Sequence, residues 1–217
     1  MKNETLLKKL QKIEKNGSIN LDPDFIALLN EIKQDVYNEA NGFTTDQKRA
    51  AKKALNFLKA IQKKDTRPVL GYCDFQEYNG SKYQFITDSY ILIGLKTFYE
   101  LPTVDDLKKS DPRQVEATYP QVVRIIPNKN DGLKVEADLS EYLKKLKAGM
   151  YEKDKKLDCL KCNSYDVWFN VENLKKIIEM LGTDRLNIYV YGVLKPILLI
   201  DPKNENIGLL TPVRKYE

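Results

Sequence analysis

The chain contains 217 residues, which is enough for one large domain or two small ones. Hydrophobic residues make up 42% of it, and 36 basic residues against 31 acidic ones give a formal net charge of +5. This mild excess permits binding to a polyanion such as nucleic acid but does not require it. Because the sequence contains no histidine, serine-hydrolase triads and histidine metal sites are excluded.

The chain shows no secretion or membrane signal. Residues 1–5 lead into a charged amphipathic stretch. No apolar run approaches the roughly 20 residues of a spanning helix, the closest being residues 197–200. The three cysteines, Cys73, Cys159 and Cys162, are an odd number, which argues against a disulfide framework and for a reducing compartment. We therefore expect a soluble, cytoplasmic protein.

Two amphipathic helices are predicted at the N terminus. Apolar residues recur at helical spacing over residues 4–15 and again over residues 22–36, where an Asp-Pro pair provides a helix start. An Asn-Gly break follows at residues 41–42. We interpret residues 1–42 as an N-terminal helical extension of a domain over residues 43–217.

The third predicted helix starts at Thr44 or Thr45 and ends at about Lys64. At about 100° per residue, its alanines, leucines, Phe57 and Ile61 gather on one side. Acids that could pair within the helix are scarce, which distinguishes it from an ordinary solvated lysine-rich surface. Its basic residues include Lys48, Arg49, Lys52, Lys53, Lys59 and Lys63.

Strand patterns follow this helix. Residues 69–78 and 82–88 alternate aromatic and polar side chains, and Asn79 and Gly80 between them are typical of a two-residue hairpin turn. A third strand is predicted over residues 90–96, with alternate aliphatic residues facing one way. This segment therefore reads as a helix followed by a three-stranded meander.

The middle of the chain is less regular. We interpret residues 101–116 as a connector, residues 119–127 as an extended piece, and residues 134–137 as a short strand. Asp138 is the N-cap of a further helix, and residues 150–162 form a mobile loop or a tight hairpin. The outer surface of the helix carries Lys144, Lys145 and Lys147.

The last third repeats the earlier order. A strand at residues 166–171 leads into a helix at residues 172–181, which Gly182 ends. A helix and a three-stranded meander therefore occur twice, at roughly residues 45–97 and 170–213. The last three strands are predicted at residues 186–191, 197–200 and 207–213.

A specific set of motifs lies on these elements. Residues 169–181 read as a strand leading into a helix, Lys-Pro at residues 195–196 opens an apolar strand, and residues 209–214 read Leu-Leu-Thr-Pro-Val-Arg. A Tyr-Pro to Ile-Pro stretch lies at residues 119–127. Residues 46–88 contain a helix, a Pro-apolar-Leu start and a Thr-Asp after a hairpin. In this order, the set resembles the bacterial sliding DNA clamp, the beta subunit of DNA polymerase III.

The resemblance covers about residues 45–100 and 119–214 and implies an α+β fold. It predicts a clamp-like domain built of two helix plus antiparallel β-meander halves, with an insertion or connector at about residues 100–165. A clamp subunit has three such domains and six close the ring, whereas this chain has material for one domain with an insertion or for two abbreviated ones. A ring would therefore need a higher oligomer.

The resemblance also implies two binding surfaces. Helices of the clamp face the phosphates of duplex DNA without reading sequence. The candidate DNA-binding residues are Lys48, Arg49, Lys52, Lys53, Lys59, Lys63, Lys144, Lys145, Lys175 and Lys176. In the family, the last strand and the segment entering the last domain form a hydrophobic cleft that captures short peptides of replication proteins. The candidate cleft residues are Pro127, Leu209, Leu210, Pro212, Val213 and Arg214, some of which strand alternation also places in the core.

The implied function is that of a non-enzymatic, sliding-clamp-like DNA replication (processivity) factor, with duplex DNA, replication proteins and further copies of itself as partners. The alternative is a clamp-fold adaptor or regulator that does not encircle DNA. A third interpretation, a redox or metal protein using Cys159 and Cys162, lacks ligands, because a zinc site needs about four and only Cys73 remains. No catalytic residue, metal or cofactor is predicted.

Overall fold

The computed structural model describes residues 32–33, 36–37, 39–64, 66–152, 156–162 and 165–214. The first predicted N-terminal helix lies outside these residues, and the second lies almost entirely outside them. The boundary of the N-terminal extension at residue 42 stays a prediction. Among the described residues, no helix is both long enough and apolar enough to cross a membrane.

The regular elements follow the predicted order closely. From residue 45 onward, the α-helices are α1 (Thr45–Lys64), α2 (Val104–Ser110), α3 (Leu139–Lys147) and α4 (Val171–Leu181). The strands are β1 (Asp74–Tyr78), β2 (Ser81–Thr87), β3 (Ile91–Leu95), β4 (Leu133–Val135), β5 (Leu157–Lys161), β6 (Asp166–Asn170), β7 (Asn187–Val190), β8 (Ile197–Ile200) and β9 (Ile207–Leu210).

Seven strands form one antiparallel sheet in the order β1-β2-β3-β9-β8-β7-β4, while β5 and β6 form a separate two-stranded sheet. The last strands of the two meanders pair at the centre, with Ile91 opposite Leu210 and Gly94 opposite Ile207. The two halves therefore run outward from a shared β3–β9 pair. This arrangement confirms the predicted α+β fold of two helix and β-meander halves.

Helices α1 and α4 pack against each other, and α4 also packs on β3 and β9. Leu58 of α1, Ile177 of α4 and Ile93 of β3 are completely buried in this first core. Gly208 of β9 permits the close approach of α4, because a Cβ there would lie 2.5 Å from Cγ2 of Ile177. Burial of these apolar side chains is the main driving force that holds the helices to the sheet.

The ends of α4 are fixed by local chemistry. The Asn170 side chain accepts hydrogen bonds from the main-chain N–H groups of Glu172 and Asn173 at 2.9 and 3.1 Å. Gly182 at the other end adopts a left-handed conformation with φ 74° and donates its N–H to Ile178 O. Both bounds agree closely with the sequence prediction.

The opposite face of the sheet carries a second core. The aromatic ring of Phe85 and the side chains of Leu92, Leu198 and Leu209 are buried there, together with Tyr119, Val122 and Ile126. Tyr119 donates its hydroxyl to Phe85 O at 3.3 Å. Residues 119–126 therefore cover this face and stabilise it.

Several predicted segments differ in the structure. Residues 69–71 belong to a 3-10 helix, Pro68–Gly71, because Pro68 occupies its first turn. The connector contains α2, whose capping box of Thr103 and Asp106 starts a helix too short to show strong periodicity. Residues 119–127 do not form a strand.

That last segment contains a 3-10 turn, Val122–Ile125, since it packs on the sheet face instead of pairing as a strand. The final strand stops at Leu210 rather than at residue 213. Residues 157–161 form β5, which pairs with β6.

Candidate DNA and peptide interfaces

The outer surface of α1 is basic. Lys52, Lys53, Lys59 and Lys63 are exposed, as is Arg49. Arg49 lies 3.6 Å from Asp46, and both side chains are more than two-thirds exposed, so this ion pair contributes little to stability. Lys48 is half-buried. We call these exposed basic side chains the basic strip of α1.

The lysines of α4 are held by other groups. Lys176 Nζ lies 3.9 Å from a carboxylate oxygen of Asp88, donates to the Asn173 side chain at 3.1 Å, and lies 5.7 Å from the ring centre of Phe57. Lys175 Nζ lies 4.0 Å from Glu179 Oε1. These residues lie on the helix that packs against α1, and their charges are partly compensated within the protein.

Helix α3 lies next to α4 and contributes further basic residues. Lys144 and Lys147 are exposed. Lys145 pairs with Glu141 at 3.0 Å, and the hydrogen bond to that carboxylate raises the pKa of Lys145. The candidate DNA-binding residues of all three helices therefore belong to one helical layer.

Glu179 is an acid of this layer that sequence reasoning missed. Its Oε1 lies 3.0 Å from Lys53 Nζ, so α4 supplies an acid that α1 lacks. The spacing of charges within one helix cannot predict this ion pair, because the two partners are far apart in sequence and meet only when α1 and α4 pack.

Two adjoining cavities lie along the helical layer, with volumes of about 380 Å³ and 610 Å³. Arg49 and Lys53 line the smaller one, and Lys147 and Lys175 line the larger one. Glu179 lines both cavities. It therefore lies where the surfaces of α1, α3 and α4 meet.

The predicted cleft residues divide into two sets. Leu209 and Leu210 are 3% and 1% exposed and face opposite sides of the sheet, so they lie in the two cores. Pro212 and Val213 are half-buried and Arg214 is exposed. A peptide at this place would meet these last three residues rather than the two leucine side chains.

Main-chain pairing fixes the C-terminal segment. The N–H of Val213 donates to Trp168 O at 2.8 Å, and Pro212 forms a bridge with Phe169 of β6. Pro127 is half-buried and directly follows Ile126, which packs in the second core with Leu209. Pro127 is therefore linked to the last strand through its neighbour Ile126, which lies in the same core as Leu209.

The loop between β2 and β3 also contacts this segment. Asp88 Oδ1 accepts hydrogen bonds from the N–H groups of Tyr90 and Ile91 at 2.9 and 3.0 Å. Tyr90 itself is 65% exposed. The Thr-Asp after the hairpin was the sequence signal for this loop, but nothing in the sequence placed Tyr90 beside the C-terminal segment.

Neither Cys73 nor Cys162 has an activated thiol. Burial raises the pKa of Cys73 to about 12, and burial also raises the pKa of Cys162. Since the thiolate is the reactive form, both shifts lower reactivity. No group of three or more potential metal ligands occurs in the described part of the chain.

No protein-family model matches the sequence, and none of the curated proteins matches it either. The fold, however, is similar to that of solved structures. The beta sliding clamp of Caulobacter crescentus, solved with polyethylene glycol bound, has a TM-score of 0.55 at 14% identity, covering 79% of this chain and 64% of the clamp. The DnaN sliding clamp of Bartonella birtlesii bound to griselimycin has a TM-score of 0.54 at 17% identity, covering 76% and 65%.

The DNA polymerase sliding clamp of Bacillus subtilis has a TM-score of 0.54 at 13% identity, covering 79% of this chain and 63% of the clamp. The chain thus spans just under two-thirds of the length of these clamps. At such identities the likeness concerns the fold. This chain has the fold of the bacterial DNA polymerase III beta sliding clamps.

Proposed function

We propose that this protein is a sliding-clamp-like DNA replication factor that binds duplex DNA through its helical layer and replication proteins through its C-terminal segment. The observation that carries the proposal is the exposed basic strip of α1, which lies beside α4 on one face of a clamp-like sheet. Like the clamps it resembles, the protein would act as a non-catalytic accessory subunit.

The chemistry of the strip suits a sequence-independent contact. Lysines on a helix surface neutralise phosphates and release counterions, which gives affinity without reading bases. Among the described residues, Lys59 and Lys63 have no ion-pair partner. The charges of these two exposed lysines are therefore available to a phosphate.

Encirclement of DNA would require several copies of the chain. The chain spans under two-thirds of a clamp subunit, so one copy would form a smaller part of a ring than one clamp subunit does. The edge strands β1 and β4 end the seven-stranded sheet and offer main-chain groups that can pair with another chain. We therefore expect a homo-oligomer.

The test is duplex binding as a function of salt, with the oligomeric state measured by light scattering on the same samples. The double variant Lys59→Ala/Lys63→Ala should lower the slope of log K against log [salt] by about 1.8. Lys109→Ala is the matched control, because Lys109 is an exposed residue of α2, whose Val104 packs in the second core. A protein that stays monomeric and binds no duplex at low salt would overturn the proposal.

A second candidate function is a clamp-fold adaptor that does not encircle DNA. The compensation of Lys175 and Lys176 by Glu179 and Asp88 favours it, since fewer free charges face DNA. Binding of a clamp-binding peptide without any duplex binding would support this function over the first.

A further inference from the structure

Glu179 pairs with lysines of two helices. Its Oε1 lies 3.0 Å from Lys53 Nζ of α1 and 4.0 Å from Lys175 Nζ of its own helix. Its side chain is 31% exposed, against 45% and 51% for the two lysines. The Glu179 side chain is thus less exposed than the two lysine side chains that it attracts.

The position is also central. Glu179 lines both cavities of the helical layer, between Arg49 on one side and Lys147 on the other. A phosphate approaching Lys53 or Lys175 would therefore compete with a carboxylate that is already in contact with the same ammonium groups.

We propose that Glu179 is an internal competitor of DNA phosphate that limits the affinity of the helical layer for duplex DNA. The inference rests on the proposed function. A lysine paired with Glu179 makes a weaker contact to phosphate and releases fewer counterions, and the carboxylate adds repulsion of its own. Weaker contacts to phosphate also favour movement of the protein along the duplex over binding at one place.

A purely structural role for Glu179 is the less favoured explanation. The α1–α4 contact is made by apolar side chains, among them Ala50, Ala54 and Ile177, each at most 1% exposed. A half-exposed ion pair adds little to such a contact. Replacing the carboxylate by an amide of the same shape should therefore leave the fold intact.

The experiment compares the full-length protein with its Glu179→Gln variant. Binding to a fluorescent duplex is measured over a range of NaCl concentrations. We expect the variant to bind roughly tenfold tighter or more at low salt, with a slope of log K against log [salt] that is steeper by up to about 1.8, since two lysines become available. In the triple variant Glu179→Gln/Lys53→Ala/Lys175→Ala, the gain should disappear.

Glu205→Gln is the matched control for net charge. Glu205 is an acid that pairs with Lys96 at the end of the sheet, away from the helical layer. An equal gain in Glu205→Gln would overturn the inference, because net charge alone would explain it. An unchanged or weakened affinity in a folded Glu179→Gln variant would overturn it as well.

Failure of the proposed function has a different signature. If neither the unmodified protein nor Glu179→Gln binds duplex at low salt, both proposals fall. If only Glu179→Gln binds, the inference is supported, whereas the unmodified protein does not bind duplex as the proposed function requires.

Discussion

The main-chain carbonyl oxygen of Tyr90 accepts two hydrogen bonds from Thr211, one from the N–H at 3.1 Å and one from Oγ1 at 2.9 Å. These bonds continue the β3–β9 pairing beyond Leu210. They hold the main chain of Tyr90 against Thr211, the residue before Pro212, while the side chain of Tyr90 is exposed. An exposed aromatic side chain held by a rigid backbone is the kind of group that anchors a bound peptide.

We therefore predict that Tyr90→Ala weakens binding of a clamp-binding peptide by roughly tenfold or more, about 1.4 kcal/mol. The free energy of unfolding should change by less than about 0.5 kcal/mol, because the side chain is 65% exposed. Fluorescence anisotropy and urea denaturation measure the two effects.

Leu209→Ala is the contrasting variant. Since Leu209 is 3% exposed, this change should destabilise the fold by about 2–5 kcal/mol. Unaltered peptide affinity in a folded Tyr90→Ala variant would remove Tyr90 from the peptide site.

Gly208 gives a prediction about the helix–sheet contact. Gly208→Ala places a methyl group 2.5 Å from Ile177 Cγ2, so α4 or β9 must shift. We expect a loss of about 1–3 kcal/mol in the free energy of unfolding. In the background Ile177→Ala, which removes the clashing methyl, the added loss should be smaller. Equal losses in both backgrounds would contradict the close approach.

Two buried groups predict a loss of stability at high pH. Burial raises the pKa of Cys73 from 9.0 to about 12 and that of Tyr99 from 10.0 to about 12. Between those limits the unfolded chain releases protons that the folded chain retains, so unfolding becomes more favourable as pH rises. Below pH 9, this stabilisation is fully present.

The urea midpoint should therefore be constant from pH 7 to about 8.5 and fall steadily from pH 9 to 11. Cys73→Ala should flatten part of this fall. A midpoint that rises above pH 9 would contradict the assignment.

The same burial predicts the order of thiol reactivity. Cys73 is completely buried, whereas Cys159 and Cys162 are half-buried. At pH 8, with a pKa of about 12, the Cys73 thiolate fraction is on the order of 10⁻⁴. A thiol-specific reagent should modify the other two cysteines in the native state and reach Cys73 only after unfolding. Rapid native modification of Cys73 in a Cys159→Ala/Cys162→Ala variant would disprove this order.

The sequence by itself determined the elements whose signals are local. The bounds of α1 follow from its apolar spacing, and the end of α4 follows from Gly182. Asn79 and Gly80 form the predicted turn, and both adopt the left-handed backbone conformation that this turn requires, with φ 49° and 71°. The repeated order of a helix followed by a three-stranded meander could be predicted for the same reason, because periodicity and turn chemistry act over a few neighbouring residues.

Only the tertiary structure decided how these elements contact one another. The β3–β9 pair, the packing of residues 119–126 and the Glu179–Lys53 contact join residues far apart in the chain. In the described part of the chain, residues 119–127 pair with no strand, and Tyr119, Val122 and Ile126 pack on the sheet instead. Leu209 and Leu210 are adjacent in sequence yet lie in different cores, because a β-strand directs neighbouring side chains to opposite faces of a sheet that is covered on both sides.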